Sequence, residues 1–378
     1  MSKDPVYRVF GLGGAGGRIA NAVARATAGR LPAYAVDCDT AALAELPACQ
    51  PLRLDDLPAT GAGGDAAKVT SAARAQSERF HRALEDVSMA VVVAGLGGGA
   101  GSGLLPVLLD VCSERNVRTM VFLVRPFAFE GTDRLRAAGS ALSAVEDRGD
   151  LRIVVSNDEL VADLPQGATV EEAFAAATRT LADGVSLFWR LGAHPAHLAL
   201  DPGLLLSFAV TGRGHVDFAS GVATGPDRLS LALGRVLEGR GLGLSRRAEG
   251  ARAALVGVVG GRDLRLAEVG DAVRNVAAIL PPGAPVHLSA VLEPEAEGTL
   301  GLVVLLFRRW ATAEREEAIE NAAAAVPADG SPAPRHLVDA YGRPMSGRFD
   351  GVAPSLGPNG ENLDDPTYLR RNLHIDFD

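Results

Sequence analysis

Lysine is almost missing from this sequence: Lys3 and Lys68 are the only two among 37 basic residues, so arginine carries nearly all the positive charge, a compositional bias with no function attached. Cysteine is equally scarce. Cys38, Cys49 and Cys112 are odd in number and lack metal-ligand spacing, which excludes a cysteine-built metal centre and fits a reducing compartment. Long apolar runs are absent too, and no segment approaches the length needed to span a membrane. The first residues, Met1-Ser2-Lys3-Asp4-Pro5, lack the charged and apolar regions of a signal peptide, which predicts a cytoplasmic protein. A net charge of -9 argues against nucleic acid as a partner, because phosphate binding wants a basic surface. At 378 residues, with 47% hydrophobic and 22% charged content, the chain is long enough for two domains with real cores.

Glycine, by contrast, is concentrated. The run Gly95-Leu96-Gly97-Gly98-Gly99-Ala100-Gly101-Ser102-Gly103 follows the apolar residues 89–94 and opens into Leu104-Leu105-Pro106-Val107. A segment so rich in glycine is expected to be a loop, neither helix nor strand. With no side chain to hold a ligand away, its N–H groups can turn toward one anion, and a helix starting just after it adds the positive end of its dipole. Buried strand, glycine loop and helix in that order predict a phosphate cradle. Residues 6–10, Gly11 to Gly17 and a helix expected over 18–28 form a second such unit, in which Gly11, Gly13 and Gly16 satisfy the spacing G-x-G-x-x-G. Residues 34–36 read as the next strand, and Asp37 and Asp39 follow at the position, about 20 residues on, where a Rossmann fold holds a ribose. Alone, this segment would suggest a nicotinamide or flavin oxidoreductase. A third glycine loop, Gly61-Ala62-Gly63-Gly64-Asp65, precedes a helix expected over 66–84.

Further strands are predicted at 119–124 and 151–155. Strands alternating with helices imply an α/β domain with a mainly parallel sheet covered on both faces and ligand loops at the strands' carboxyl ends. Three glycine loops exceed what one Rossmann unit uses and suggest a mononucleotide wrapped from several sides. A helix over 171–191, apolar on much of its surface, is expected to pack between two domains. Strands at 204–209, 253–259, 286–292 and 300–307, with helices near 227–237 and 266–279, predict a smaller α+β domain. Residues 313–325 read as a charged surface helix, and from Pro327 a disordered tail is expected. Its last part, Asp364-Asp365-Pro366-Thr367-Tyr368-Leu369-Arg370-Arg371-Asn372, has the apolar anchors of a short binding peptide.

These residues resemble FtsZ, the bacterial relative of tubulin. Gly97 to Gly103 reads as the tubulin-type signature G-G-G-T-G-[ST]-G with Ala100 in place of threonine, and Gly11 to Gly17 matches the family's first glycine loop. Pro126-Phe127-Ala128-Phe129-Glu130-Gly131-Thr132-Asp133-Arg134 matches P-F-x-F-E-G-x-x-R, and Ser156-Asn157-Asp158 matches P-N-D. Residues 220–228, 260–266 and 364–372 resemble second-domain segments and the family's C-terminal peptide, so the likeness runs through nearly the whole chain.

The resemblance implies a Rossmann-like GTP-binding domain over 1–170, a central helix and the start of an interface loop over 171–198, and a smaller α+β domain over 199–310. An extra helix over 311–326 and a flexible tail over 327–378 complete the expected map. It implies GTP or GDP with Mg2+, head-to-tail self-association into filaments, and a membrane-associated adaptor bound through 364–372. No nucleic acid, no membrane span and no resident metal site are expected. By the same resemblance Gly13, Gly14 and Ala15, the loop Ala62, Gly63 and Gly64, and the run Gly97, Gly98, Gly99, Ala100, Gly101, Ser102 and Gly103 surround the phosphates. Glu130 and Arg134 reach the ribose and neighbouring phosphates, with Asn157 on the guanine edge and Phe174 against the ring; a surface ion pair and a plain core aromatic are the alternatives for the first pair and the last residue.

Three departures bear on function. The family completes hydrolysis across the subunit interface with a loop of pattern N-x-D-x-x-D, and this chain offers Ala199-Leu200-Asp201-Pro202-Gly203-Leu204. Only Asp201 remains as a catalytic candidate, and losing a positioned acid or base costs about 10²–10⁴-fold in rate, so slow or absent turnover is expected. Thr178 stands where an aspartate usually pairs with guanine's N–H groups, which predicts weaker guanine selectivity. Arg18 stands where asparagine is common, either adding charge to the phosphates or blocking the base. His194, His197 and Asp201 have a metal-like spacing that reads better as helix-end capping. The expected protein is thus a filament-forming, FtsZ-like nucleotide binder of cell division or membrane remodelling, cytoplasmic, with recruitment to the inner face of the membrane left open. A fully active polymerising GTPase and, further off, a Rossmann NAD-dependent oxidoreductase are the alternatives.

Overall fold

The computed structural model describes residues 5–193 and 216–308. Six strands make the first sheet: β1 (Tyr7–Leu12), β2 (Ala33–Asp37), β3 (Gln50–Arg53), β4 (Met89–Gly95), β5 (Arg118–Arg125) and β6 (Leu151–Ser156). Their order is β3-β2-β1-β4-β5-β6, and every pairing is parallel. Such an order reverses direction between β1 and β4. Ligands of open α/β sheets bind at that switch point, outside the strands' carboxyl ends. Residues 89–94 are buried throughout, as a central parallel strand covered on both faces requires.

The helices on the two faces are α1 (Gly13–Ala26), α2 (Thr40–Ala44), α3 (Ala66–Ala75), α4 (Ser77–Ala83), α5 (Gly99–Glu114), α6 (Thr132–Ala144) and α7 (Asn157–Leu160). One core gathers Leu104, Leu105 and Leu108 of α5 with Val69 of α3 and Phe80 of α4 against the sheet. The other gathers Ile19, Ala20 and Val23 of α1 with α8 (Val170–Ala193) and continues into a second sheet.

That second sheet contains β7 (Val216–Thr224), β8 (Ala251–Gly260), β9 (Val286–Leu292) and β10 (Thr299–Arg308) in the order β7-β10-β8-β9. Strand β10 is antiparallel to both its neighbours, and β8 and β9 are parallel. Helices α9 (Arg228–Glu238) and α10 (Leu266–Ile279) complete the smaller unit. Helix α8 lies between the sheets, as its apolar surface predicts. Leu187 packs onto Gly301 of β10, Leu191 onto Gly257 of β8, and Phe218 of β7 onto Gly184 of the helix, positions where a methyl group would collide.

Several expectations change. The first glycine segment is not a loop: β1 runs through Gly11 to Leu12, and α1 starts at Gly13, five residues before the expected Arg18. Helix α5 likewise begins inside the glycine run at Gly99. Glycine disfavours a helix interior by about 1 kcal/mol relative to alanine, but these glycines are where backbones meet: a Cβ on Gly101 would overlap the Gly95 carbonyl and one on Gly16 the Val93 carbonyl. The helix expected over 66–84 is two helices broken at Gln76. Strands β3 and β7 were not foreseen. The strand expected at 204–209, the helix at 313–325 and the tail fall outside the described residues.

Candidate nucleotide cleft

Two helices start side by side at the switch point. Helix α1 follows β1 directly, with Gly13 at φ 70°, and α5 follows β4 through Leu96, Gly97 and Gly98. A Cβ on Gly13 would stand 2.7 Å from the Gly101 nitrogen, so the two N-termini are in contact. Neither has a side-chain cap or an acidic residue in its first turn. Asp65, in contrast, caps α3 by accepting from Lys68 N at 3.0 Å, and Ser156 caps α7 by accepting from Glu159 N at 3.1 Å. Uncapped first-turn N–H groups and two positive dipole ends converge on one opening, which is what an anion binds.

The opening is a cleft of about 370 Å³. It is lined by Gly13, Gly14, Ala15 and Arg18 from α1, by Gly95, Leu96, Gly98, Gly99, Ala100 and Gly101 around the start of α5, and by Val124, Pro126, Glu130, Arg134, Asn157 and Phe174. Gly95, Leu96, Val124 and Pro126 were absent from the sequence-based selection. Their signal is positional: they stand at or just beyond the carboxyl ends of β4 and β5.

The remaining selected residues serve the walls. Gly97, at φ 87°, lies where a Cβ would come 2.6 Å from the Arg134 carbonyl oxygen. Ser102 is buried, and its hydroxyl accepts from Gly97 N at 3.1 Å, closing the turn. Gly103 faces Val69 of α3, with 2.7 Å from a would-be Cβ to the valine Cβ. Residues Ala62, Gly63 and Gly64 are not among the lining residues; Ala62 and Gly64 stand against Gly99, where a Cβ would come 2.9 Å from the Ala62 methyl and 3.0 Å from Gly64 C. Thr178 is half-buried on α8, one turn beyond Phe174, and is not a lining residue.

Glu130 is held rigidly. Its Oε1 accepts from Phe127 N at 2.8 Å, and its Oε2 pairs with Arg134 Nη1 at 2.5 Å. The carboxylate is 12% exposed while the arginine is 52% exposed, so the acid fixes the cation and leaves it facing outward. Phe127 meets Phe174 edge-on at 5.1 Å, and Phe129 stacks on Phe127 at 4.8 Å. Phe174 is therefore an aromatic wall held by a second aromatic. Asn157 opens α7, where Ser156 and Glu159 cap each other reciprocally. The Glu159 carboxylate also reaches Arg247 Nη2 at 2.6 Å, and Arg247 donates to Gly241 O at 2.8 Å, linking this corner to the second unit.

Among the described residues no three His, Cys, Asp or Glu side chains cluster as a metal cage. The cleft's one carboxylate is already paired. Mg2+, which keeps several waters and takes phosphate oxygens readily, fits here as a companion of a bound phosphate chain and not as a resident ion. Asp37, the alternative ribose ligand, is buried and spends its Oδ1 on Cys38 N at 2.7 Å and Asp39 N at 3.2 Å. Asp39 caps α2 by accepting from Ala41 N at 2.9 Å. Asp201, Ala199, Leu204, His194 and His197 lie outside the described residues, as does the peptide at 364–372. Among the described residues no helix is long and apolar enough to cross a membrane.

A doubly wound parallel sheet with an anion-receiving cleft at its switch point, joined through a central helix to a smaller mixed sheet, defines the class of protein. The family follows from comparison: residues 7–164 match the family model "Tubulin/FtsZ family, GTPase domain" and residues 214–307 match "FtsZ family, C-terminal domain". The chain belongs to the tubulin/FtsZ family. It is 27% identical over 387 residues to the cell division protein FtsZ of Pseudomonas aeruginosa, covering 98% of each chain. It is 27% identical over 313 residues to that of Buchnera aphidicola, covering 81% of this chain and 79% of the relative. Among solved structures it resembles an empty FtsZ dimer from M. jannaschii, with TM-score 0.71, 25% identity and 81% and 88% of the two chains covered. A GTPγS-bound protofilament of CetZ2 from Haloferax volcanii is similar at TM-score 0.64 and 26% identity, with 85% and 98% covered.

Proposed function

We propose that this chain is a filament-forming guanine-nucleotide-binding protein that holds its nucleotide at the β1/β4 switch point and turns it over slowly or not at all. The observation that carries the reading is the pair of uncapped helix N-termini of α1 and α5, in contact at Gly13 and Gly101, in a chain of the tubulin/FtsZ family. The phosphates lie over Gly13, Gly14, Ala15 and Gly98 to Gly101, Arg134 reaches them from its seat on Glu130, and Phe174 and Asn157 receive the base. Mg2+ accompanies the phosphates and neutralises their charge. Head-to-tail stacking into filaments is supported by the relatives' names, one a dimer and one a protofilament. The expected domain map, with GTP binding over 1–170 and the second domain over 199–310, belongs to the same reading, as does a cytoplasmic role in cell division or membrane remodelling through an adaptor bound at 364–372.

Slow turnover rests on chemistry. Leucine at position 204 can neither polarise water nor ligate a cation, so of the polar loop residues Asp201 alone is left to act on a neighbouring subunit's nucleotide. Electron microscopy of the purified full chain with GTP, GDP and no nucleotide tests assembly; filaments are expected with GTP, and none under any condition defeats the proposal. Phosphate release tests turnover. Release is expected to be near background in the parent and higher after Leu204→Asp, whereas brisk release from the parent makes Asp201 sufficient and the chain a working GTPase.

A further inference from the structure

Each of the two helix starts at the cleft has one arginine beside it. At the start of α5 the stem of Arg134 lies against Gly97, where a Cβ would stand 3.1 Å from Arg134 Cγ. At the start of α1, Arg18 folds back along its own helix, and its Nη1 stands 3.7 Å from where a Cβ on Gly14 would be. Positions 14 and 18 are one turn apart on the same helical face, and helical side chains lean toward the N-terminus, so the guanidinium reaches the first turn.

The two cations differ in their partners. Arg134 is held by Glu130. Arg18 is exposed, lines the same cleft, and has no hydrogen-bond or ion-pair partner among the described residues. Glu130 is the one carboxylate among the lining residues, and its two oxygens are taken by Phe127 N and Arg134. The Arg18 guanidinium thus sits beside a helix start that has no side-chain cap and no acid in its first turn. Charged donors and first-turn N–H groups meet at one place, and a single bound anion satisfies both.

We infer that Arg18 is a phosphate arm, which closes on the part of the phosphate chain seated at the start of α1 while Arg134 serves the start of α5. The cleft is then a two-sided clamp, with one dipole end and one guanidinium on each side. Its ligand is a nucleoside polyphosphate, whose chain can engage both sides at once. The contribution of Arg18 falls on the chain and not on the base, since Gly14 belongs to the glycine segment over which the phosphates are seated. This rests on the nucleotide-binding reading above and adds to it a second cation that the chain itself supplies.

The test is displacement of a fluorescent GTP analogue by GTP and by inorganic triphosphate, with Mg2+, from the full chain and from Arg18→Ala and Arg18→Lys. Arg18 is exposed and has no partner to lose, so both variants are expected to keep the parent's urea midpoint. Inorganic triphosphate carries the chain without the base and is expected to displace the analogue from the parent, more weakly than GTP does. Arg18→Ala is expected to weaken both ligands by one common factor of about fivefold to thirtyfold, the low side of a charged hydrogen bond because the group is exposed. Arg18→Lys keeps the charge without the fork and is expected to fall between the parent and Arg18→Ala. The inference is overturned if Arg18→Ala binds both ligands as tightly as the parent, the mark of an arm left in solvent. It is also overturned if GTP weakens while inorganic triphosphate does not, the mark of a base or ribose contact, if lysine is no better than alanine, or if inorganic triphosphate cannot displace the analogue from the parent. Tight GTP binding by the parent together with any of these results defeats this inference alone. Absence of GTP binding by the parent defeats the nucleotide reading with it.

Discussion

Gly101 and Gly98 stand three residues apart in the same glycine run, yet replacing each by alanine should damage different things. A Cβ on Gly101 would overlap the Gly95 carbonyl oxygen and come 3.2 Å from Leu12 O, so the start of α5 is pressed onto the ends of β4 and β1. The helix would have to withdraw on the order of 1 Å to restore ordinary contact distances. Forced overpacking costs about 1–3 kcal/mol, while replacing a helical glycine returns up to about 1 kcal/mol. The net range is about 0–3 kcal/mol, and because the overlap with the Gly95 carbonyl oxygen is severe, a loss in its upper half is expected for Gly101→Ala. Because Gly13 touches the Gly101 nitrogen, the two helix starts should also part, and nucleotide affinity should fall with stability.

Gly98 has nothing within 4 Å of a would-be Cβ, and its φ of -102° with ψ of 171° suits any residue. Gly98 is the N-cap of α5, where alanine is a poorer residue than glycine, so Gly98→Ala should cost about 0.5–1 kcal/mol without any clash. It lines the cleft, however, so its methyl occupies space a phosphate would use. Urea denaturation followed by circular dichroism, beside nucleotide titration, separates the two. The expected pattern is a strongly lowered midpoint with weaker binding for Gly101→Ala and a smaller midpoint shift with weaker binding for Gly98→Ala. A Gly101→Ala protein as stable as the parent would refute the packing argument, and unimpaired binding by Gly98→Ala would refute the placing of the phosphates.

Three further outcomes are expected. Arg228, with its side chain 5% exposed, pairs with Glu268 at 2.8 Å and with the more exposed Asp263 at 2.5 Å; Arg228→Met removes the charged hydrogen bonds to Glu268 and should cost about 1.5–3 kcal/mol in denaturant unfolding. The hydrogen bonds from Arg228 hold the Glu268 carboxyl below its ordinary 4.5, so its stabilisation is complete above that value and is lost as pH falls through the lower folded value. A pH series should therefore show a shallower acid limb in Arg228→Met than in the parent. Arg247→Met removes donors from Glu159 and Gly241 O and should lower stability by about 2 kcal/mol, seen as an earlier thermal transition.

Much of this architecture was legible because parallel strands announce themselves. Residues 89–94 are apolar without alternation since both faces are covered, and β9 and α10 are bounded where apolar period and flanking residues place them. Strand β3 was not legible. Gln50-Pro51-Leu52-Arg53 is an edge strand with one buried side chain, and nothing in its own composition asks for a sheet. Strand β7 was hidden differently: Ser220 and Gly221 interrupt its apolar run because Gly221 lies under the backbone of Ala232 in α9, a demand that exists only once the helix is in place. The break at Gln76 has the same character, since its side chain is fastened to the Asp55 backbone by two hydrogen bonds across 21 positions of sequence.

The site raises a subtler difficulty, because a glycine run does not reveal which way each glycine faces. Nine consecutive residues, 95–103, looked like one loop serving one ligand. Folded, they divide into residues open to the cleft, such as Gly98 and Gly99, and residues whose missing Cβ serves the protein: Gly97 against Arg134, Gly103 against Val69, and Ser102 turned inward to Gly97. The same division explains why a sheet order shared with dinucleotide-binding enzymes does not make this chain one. In such enzymes the acid after β2 is free for a ribose. Here Asp37 is buried and turns its Oδ1 back on its own backbone, and Asp39 caps α2 with its Oδ1, while Glu130 presents Arg134 on the opposite wall. Replacing Asp37 should then disturb the β2–α2 turn and lower stability.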